Sequence, residues 1–380
     1  MMNVNWIQFA QQIAPWALPL AGGLFLLLVG PFLPKKHSLH FGFALAVVLA
    51  SLYWAWQQWL NAQGDAIALM LFDKFTYLFV MFFLLALLLT LLLSYNYLES
   101  FGLVRPEYYA LLLISVFGMG CMAGGHDLMV VFLGLEIMSV AVYVLAGFQR
   151  SNDLCVEAAL KYFIVGAFAS AFLLLGIAFI YGAMGTTNLI VLNKMGMSGL
   201  GVASKTFYFI GISLLGVGLG FKIAAVPFHY WAADVYEGAP VIVTTFMATA
   251  VKAAGFAALL RVVWAIFQWE PVVLSTVVWV AAALTMTIGN LAALVQRNLK
   301  RMLAYSSIAH AGYALVPLVV YAGRAEGVVS SIGFYLLAYI LMTTGAFAVL
   351  IALTQSEGAD RERCEMQDLA GLGTKKPFLG

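Results

Sequence analysis

Long apolar runs separated by short polar stretches occupy the whole chain. Each run has about 20 residues, the length that an α-helix needs to cross about 30 Å of hydrocarbon at 1.5 Å per residue. A membrane β-barrel would instead show strand-length alternation of apolar and polar residues. We therefore predict an all-α, polytopic transmembrane helix bundle of about 11 spans. The spans are expected near residues 15–33, 40–60, 75–97, 107–124, 127–148, 156–184, 206–236, 240–268, 271–296, 301–322 and 330–354.

The seventh apolar run is interrupted. Pro227 lacks a backbone N–H and clashes with the preceding helical turn, and the polar stretch FHYWAADVYEGAP (228–240) follows it. Backbone of this kind is compatible with the membrane only where it is buried in protein or lines a wet cavity. The pattern predicts one broken helix near residues 220–236.

Composition agrees with a membrane protein. The chain is 64% hydrophobic and only 9% charged, whereas soluble domains carry about 25% charged residues. A net charge of +2 gives no reason to expect a nucleic-acid partner. The three cysteines, Cys121, Cys155 and Cys364, are far apart and follow no metal-ligand or disulfide pattern. The lipid bilayer is therefore the expected solvent.

The positive charges divide unequally between alternate connections. Eleven lie on one side of the predicted topology and four on the other. The first set is Lys35, Lys36, Arg105, Arg150, Arg297, Lys300, Arg301, Arg361, Arg363, Lys375 and Lys376, and the second is Lys74, Lys194, Lys205 and Arg324. Because cytoplasmic loops carry the excess of Lys and Arg, we predict a multi-pass membrane protein with a periplasmic N-terminus.

Three ionisable residues, Glu136, Lys222 and Lys252, lie deep inside predicted spans. A charge at the centre of a span costs about 2.5–3.5 kcal/mol on insertion scales, so several together need a functional reason. The alternatives are a carboxylate that only holds helices together, and lysines whose amines reach the interface. Their depth, roughly 14–18 Å at 1.5 Å per residue, favours proton handling.

Four further residues are candidates for auxiliary proton-transfer groups. Lys161 lies nearer a helix end, where extension of its amine to the interface is a serious alternative. His229 follows the broken helix, and His310 lies in the tenth span close to Tyr305. An intramembrane histidine is also compatible with simple hydrogen-bonded packing. No nucleotide, phosphate, haem or metal-ligand motif accompanies these residues, so the available chemistry is proton movement.

At these residues the sequence resembles a known family, the antiporter-like proton-pumping subunits of complex I, the NADH:quinone oxidoreductase of bacteria. The resemblance is carried by Glu136 in its helix and by four long stretches in the same order. These are EAALKYFIVGAFASAFLLLGIAFIYGAMGTTNL (157–189), GFKIAAVPFHYWAADVYEGAP (220–240), ATAVKAAGFAALLR (248–261) and LVQRNLKRMLAYSSIAHAGYALV (294–316).

The resemblance implies roles for the candidate residues. Glu136 would be the carboxylate paired with Lys222 on the broken helix, and Lys252 the central relay lysine. Lys161 and His229 would be auxiliary polar groups. The family fold has two inverted five-helix repeats, which implies a three-helix segment at 1–100, a first repeat at 101–270 and an incomplete second repeat at 271–380.

The chain also departs from the family pattern. Val241 and Ile242 replace a Thr-Pro pair that usually follows the EGAP motif. The family continues for about three more helices, which include a second broken helix and its lysine. The charged tail ends in KKPFLG, which is typical of the approach to another span. We expect the C-terminal part of the family fold to be missing here.

The resemblance further implies that this chain binds no cofactor itself. NADH, FMN, iron–sulfur clusters and quinone would belong to partner subunits, and this chain would contact other membrane subunits of complex I, lipid, water and protons. Two alternatives stay open: a membrane subunit of a multi-subunit cation/proton antiporter, and a structural membrane subunit that moves nothing.

Overall fold

The computed structural model describes residues 6–33, 36–196, 201–266, 271–320, 327–355, 362 and 364–375. Within these ranges, 11 helical segments are long and apolar enough to cross a membrane. This number agrees with the prediction from the sequence. The helices that form them are α1 (Trp6–Val29), α2 (His37–Asn61), α3 (Lys74–Ser100), α4 (Pro106–Gly124), α5 (Leu128–Ala146), α6 (Asp153–Met184), α8 (Val202–Ile223), α10 (Val241–Phe246) continued by α11 (Lys252–Ile266), α12 (Pro271–Leu294), α13 (Leu299–Val319) and α14 (Val328–Gln355).

Short elements connect these spans. They are the helices α7 (Leu189–Met195), α9 (Tyr230–Gly238) and α15 (Leu372–Lys375), two 3₁₀ turns (Gly30–Phe32 and Met366–Leu369), and a hairpin of β1 (Asp65–Ile67) and β2 (Met70–Phe72). The hairpin is antiparallel, with Asp65 opposite Phe72. The bundle is therefore all-α apart from one small hairpin in the described residues.

The first span begins at Trp6 and not near residue 15 as predicted. The helix continues through Pro15 and Pro19, which the sequence analysis had treated as its starting region. Its polar first turns are stabilised from outside, because the side-chain amides of Gln8 and Gln12 donate to Asp65 at 3.1 and 2.9 Å.

The broken helix is present within the predicted range, 220–236. Helix α8 stops at Ile223, and Ala224 follows with φ +57°, three residues before Pro227. Side chains of other residues form hydrogen bonds with backbone groups at the break. Val226 N–H donates to Thr285 Oγ1 at 3.0 Å, and Trp231 Nε1 donates to the Phe221 carbonyl at 3.1 Å. The break is therefore stabilised by hydrogen bonds, and it leaves Lys222 in the last turn of α8.

The eighth span lies at the centre of the bundle and is not a uniform helix. A π-helical turn, Met247–Val251, separates α10 from α11 and ends directly before Lys252. Helix α10, the π turn and α11 together contact α3, α4, α5, α7, α8 and α14. π turns inside α-helices are frequent at functional sites, and this one sets the direction in which Lys252 leaves the helix.

Three isolated β-bridges connect the ends of the spans. They join Met70 to Gly125, Asp127 to Asn188, and Asn298 to Glu365. Each bridge connects two segments that the predicted topology places on the same side of the membrane. The alternation of the spans in the fold therefore agrees with the order derived from the sequence.

Candidate functional site

The Glu136 carboxylate faces helix α6. It is partly buried, and Ser170 Oγ of α6 donates a hydrogen bond to it. Ser139 lies one helical turn further along α5, on the same face as Glu136, because residues three apart are neighbours on a helix surface. Glu136 and Ser139 therefore present a carboxylate and a hydroxyl toward the same part of the bundle.

The Lys222 amine reaches α5 and α6 from the end of α8. The residue is 3% exposed. Its Nζ donates to Ser139 Oγ at 2.9 Å and to Tyr162 Oη at 3.4 Å, and it lies 5.6 Å from the centre of the Tyr162 ring. Trp231 stacks on the Tyr162 ring, with 4.6 Å between ring centres. All the hydrogen-bond partners that the described residues offer to this amine are neutral oxygens.

Glu136 and Lys222 approach each other without a direct ion pair. Among the described residues, no carboxylate oxygen lies within 4.0 Å of the Lys222 amine. A cavity of about 10 Å³ lies where α5, α6 and α8 meet, and its lining includes Ser139, Ser170 and Lys222. That volume is close to the smallest space that holds one water molecule. The geometry is compatible with a Glu136–Lys222 pair that is bridged by water.

The Lys252 amine is bound by α13. The residue is 4% exposed. Its Nζ donates to the Ser307 carbonyl at 2.5 Å and also to Ser307 Oγ. Tyr339 Oη of α14 donates to the same Ser307 Oγ at 2.8 Å, and its ring centre lies 5.7 Å from the amine. The amine, the serine and the tyrosine form a continuous hydrogen-bonded chain from α11 to α14.

His310 lies beside this chain, between α13 and α14, but the described residues give it no hydrogen bond to Ser307 or Tyr339. Its Nδ1 lies 2.5 Å from Tyr335 Oη, and its ring centre lies 5.2 Å from that of Tyr339. Tyr335 and Tyr339 are one turn apart on α14. The sequence analysis named His310 but missed both tyrosines; their i, i+4 spacing in GFYLLAY (333–339) was the available signal.

The helices of the two buried lysines lie in close contact. A Cβ added at Gly255 would lie only 3.0 Å from Ile223 Cγ2 and 3.4 Å from Lys222 Cγ. Gly255 follows Lys252 by three residues and so shares its face of α11. No described side chain hydrogen-bonds to both amines. Water would have to complete a path between them.

Three predicted auxiliary residues are not brought into this arrangement. Lys161 is 46% exposed and pairs with Glu157 at 2.7 Å and Asp234 at 3.2 Å on the surface of the bundle. His229 precedes α9, and its Nδ1 is buried without a hydrogen-bond partner among the described residues. The Tyr305 hydroxyl has no hydrogen bond to Lys252, Ser307 or His310 in that same set.

Comparison with known proteins gives consistent matches. Residues 125–380 match the family described as "NADH:quinone oxidoreductase/Mrp antiporter, TM". A relative from Trichlorobacter lovleyi, called NADH-quinone oxidoreductase subunit N, is 42% identical over 387 aligned positions that cover 100% of this chain and 77% of the relative.

Solved structures agree with these matches. A chain in respiratory complex I from Thermus thermophilus with bound aureothin matches with a TM-score of 0.77 and 37% identity, over 96% of this chain and 75% of that chain. A chain of the Mrp complex from Dietzia sp. DQ12-45-1b matches with a TM-score of 0.81 and 23% identity, over 97% of this chain and 68% of that chain. At that identity the second likeness concerns the fold alone.

Proposed function

Because this chain belongs to the antiporter-like, proton-translocating membrane subunits of NADH:quinone oxidoreductase, we propose that Glu136, Lys222 and Lys252 carry its protons. The observation that supports the proposal most strongly is the pair of buried lysine amines without a carboxylate within 4.0 Å among the described residues. A buried lysine changes its protonation state readily when its surroundings change. Such a group can accept a proton and release it again.

The proposed path runs across the middle of the bundle. Lys222 exchanges its proton with water in the small cavity beside Ser139 and Ser170, where the Glu136 charge favours the protonated amine. When the amine loses its proton toward Lys252, water between α8 and α11 carries it. Lys252 then passes a proton to Ser307 Oγ, and Ser307 passes its own hydroxyl proton to Tyr339 Oη. Because the Tyr339 hydroxyl donates to Ser307 in the structure, it must rotate before it can accept that proton.

The alternatives are less well supported. A structural subunit gains nothing from buried amines, since each buried charge costs about 2.5–3.5 kcal/mol on insertion scales. A stand-alone cation/proton antiporter shares the fold, but the sequence of the Mrp chain is only 23% identical to this one. The relative called NADH-quinone oxidoreductase subunit N is 42% identical over the whole chain, which favours the redox-driven complex.

The proposal also assigns location and partners. The redox groups, NADH, FMN, iron–sulfur clusters and quinone, would be bound by partner subunits, and other membrane subunits would contact the apolar outer faces of the helices. The chain would lie in the inner membrane with its N-terminus in the periplasm. The excess of Lys and Arg on one set of connections supports that orientation.

Replacement of Lys252 tests the relay. We expect Lys252→Ala to assemble, because alanine fits beside Ala253 and Ala254, and to lower the number of protons moved per NADH oxidised in proteoliposomes. A positioned proton donor and acceptor contributes about 100-fold or more to a rate, so transfer through this chain should nearly stop.

The control for that experiment is Lys194→Ala, which removes an exposed lysine of α7. A parental proton ratio in the assembled Lys252→Ala complex would refute the relay role. Cation-driven proton exchange without NADH, lost in Lys252→Ala, would favour the antiporter alternative.

A further inference from the structure

A third buried lysine, Lys300, differs from Lys222 and Lys252 because it has a carboxylate partner. Its Nζ lies 2.6 Å from Glu362 Oε2, and the two side chains are 4% and 16% exposed. Glu362 comes from the segment that follows α14, whereas Lys300 lies in the first turn of α13. The pair therefore brings a distant part of the chain into the bundle.

This ion pair lies at the corner where α9 ends and α10 begins. Lys300 Nζ donates to the carbonyl of Ala239, the residue that caps the C-terminus of α9, at 2.6 Å. Glu362 Oε1 accepts the N–H of Val241, the first residue of α10, at 2.7 Å. A cation at a helix C-terminus and an anion at a helix N-terminus are the favourable arrangements. Each charge therefore lies at the helix end that suits its sign.

The Glu362 carboxylate is held by further contacts. Tyr97 Oη, near the end of α3, also donates to Glu362 Oε1. The backbone of the same segment pairs with the connection that precedes α13, since Leu299 N–H donates to the Cys364 carbonyl at 2.6 Å and Met366 N–H to the Arg297 carbonyl at 3.0 Å. One carboxylate thus joins α3, α10 and α13.

The corner connects the surroundings of both relay lysines. In one direction, α9 carries Trp231, which stacks on the Tyr162 ring beside Lys222. In the other direction, α10 leads through the π turn to Lys252. A shift of the corner would therefore change the position of Trp231 relative to Lys222 and the direction in which Lys252 points.

We propose that Glu362 is a positioning residue for proton transfer: its carboxylate, held between Lys300, Tyr97 and the N–H of Val241, fixes the α9–α10 corner and with it the spacing of Lys222 and Lys252. This inference rests on the proposed function. Glu362 itself carries no proton along the path.

The first test is Glu362→Gln in the complete complex, with the number of protons moved per NADH oxidised as the readout. Glutamine keeps the size of the side chain but leaves the buried Lys300 charge unpaired. We expect the proton ratio to fall toward that of Lys252→Ala, while NADH oxidation and assembly persist. The matched control is Glu365→Gln in the same segment. Its exposed side chain accepts from Asn298 at 3.3 Å and from the Asp368 backbone N–H, and it contacts neither Lys300 nor α10 among the described residues. A glutamine side-chain oxygen can accept the same bonds, so this variant should keep the parental proton ratio.

A double variant separates positioning from general stability. If Glu362 acts through the relay, Glu362→Gln adds no further loss of the proton ratio in the Lys252→Ala background, because residues that act on one process are non-additive. An added loss of the same size as in the parent would contradict the proposal. If the single variant Lys252→Ala keeps the parental proton ratio, the proposed function itself is wrong. If Lys252→Ala lowers the proton ratio but Glu362→Gln does not, the relay stands and the positioning role of Glu362 is wrong.

A charge exchange gives an independent test. Lys300→Glu combined with Glu362→Lys restores an ion pair but places each charge at the wrong helix end, so the ratio should stay as low as in Glu362→Gln. Full recovery would show that any ion pair suffices and would overturn the role of the helix ends. If Glu362→Gln does not assemble, Glu362→Asp decides, since its shorter side chain cannot reach Lys300 and Val241 together; a parental ratio in that variant would overturn the proposal.

Discussion

Two kinds of partner divide the four lysines described above, of which Lys161 is exposed and the other three are buried. Lys161 and Lys300 have carboxylate oxygens at 2.7 and 2.6 Å. Lys222 and Lys252 are bound by hydroxyl and carbonyl oxygens among the described residues. A paired ammonium keeps its charge, while an unpaired one in a buried site is free to lose it. We propose that the first group anchors the fold and that the second group transfers protons.

The coupling between Glu136 and Lys222 gives a prediction at the scale of single residues. Glu136→Gln and Lys222→Met should each lower the proton-pumping rate of the assembled complex, and the double variant should lose little more than the worse single variant. Ser170 donates to Glu136 and Ser139 accepts from Lys222, and both serines line one small cavity. Residues in one hydrogen-bonded network show coupling of about 0.5–3 kcal/mol.

The measurement for this pair is a double-mutant cycle on the initial rate of NADH-driven proton uptake in vesicles. Glu136→Asp is the matched control, because it keeps the charge and should retain much of the rate. Losses that simply add in the double variant would show that the two residues do not communicate.

At the scale of elements, the span that contains Lys252, α10 continued by α11, is held at both ends. The α9–α10 corner is fixed by Lys300 and Glu362. The other end of this span is fixed by Arg261 in α11, whose guanidinium makes two hydrogen bonds of 2.7 Å to Asp73 and one of 2.8 Å to the Ala123 carbonyl. The π turn lies between these two anchors and directly before Lys252. Because both ends of the span are held, the turn determines the direction of the Lys252 side chain.

The Arg261–Asp73 pair predicts a stability effect with a defined pH dependence. Burial would raise the pKa of Asp73, but the charge and hydrogen bonds of Arg261 and the hydrogen bonds of Thr76 outweigh it, so the pKa lies below 3.8. A carboxyl with a lowered pKa stabilises the fold above its unfolded value and loses this contribution as the pH falls through the folded value. Asp73→Asn should therefore destabilise the protein equally at pH 5 and pH 8, by about 3–5 kcal/mol if Arg261 is left unpaired.

Thermal unfolding in detergent at both pH values measures this effect. Asp153→Asn, an exposed carboxylate at the start of α6, is the control and should shift the midpoint little. A midpoint for Asp73→Asn that equals that of the parent at pH 8 would mean that the pair does not stabilise the fold.

At the scale of the whole molecule, the fold consists of spans whose ends pair only with neighbours on the same side. The three β-bridges in the described residues follow this rule, and so does the Arg261–Asp73 pair. The division of the chain at residues 100 and 270 stays a prediction, as does the direction in which the bundle is inserted.

Insertion direction is open to a direct measurement. Single cysteines at Gln63→Cys and Ser151→Cys, both exposed positions between spans, should react with an impermeant thiol reagent from opposite sides, the first from the periplasm. The native cysteines Cys121, Cys155 and Cys364 are buried and give a low background. Labelling of both positions from one side, or of Ser151→Cys from the periplasm, would reverse or refute the predicted topology.

The sequence alone determined the class of the fold, the number of spans and the depth of the key ionisable residues. The thickness of the hydrocarbon core sets the length that each apolar run needs to cross the membrane. A run of about 20 residues therefore predicts a span without knowledge of the neighbouring helices. For the same reason, the cost of a charge inside a span singled out Glu136, Lys222 and Lys252 before any partner was known. The break in the seventh span was also visible, because Pro227 and the polar stretch after it are local features.

Only the tertiary structure decided which of these residues meet and where the helices change course. The sequence made both Lys161 and Lys222 candidates for proton transfer. In the fold, Lys161 pairs with Glu157 and Asp234 at the surface, whereas Lys222 is bound by neutral oxygens. The π turn before Lys252 and the contact of Glu362 with the start of α10 leave no local signal. Both depend on packing between segments that are distant in the chain. The residue pattern of one segment does not show which other segments pack against it.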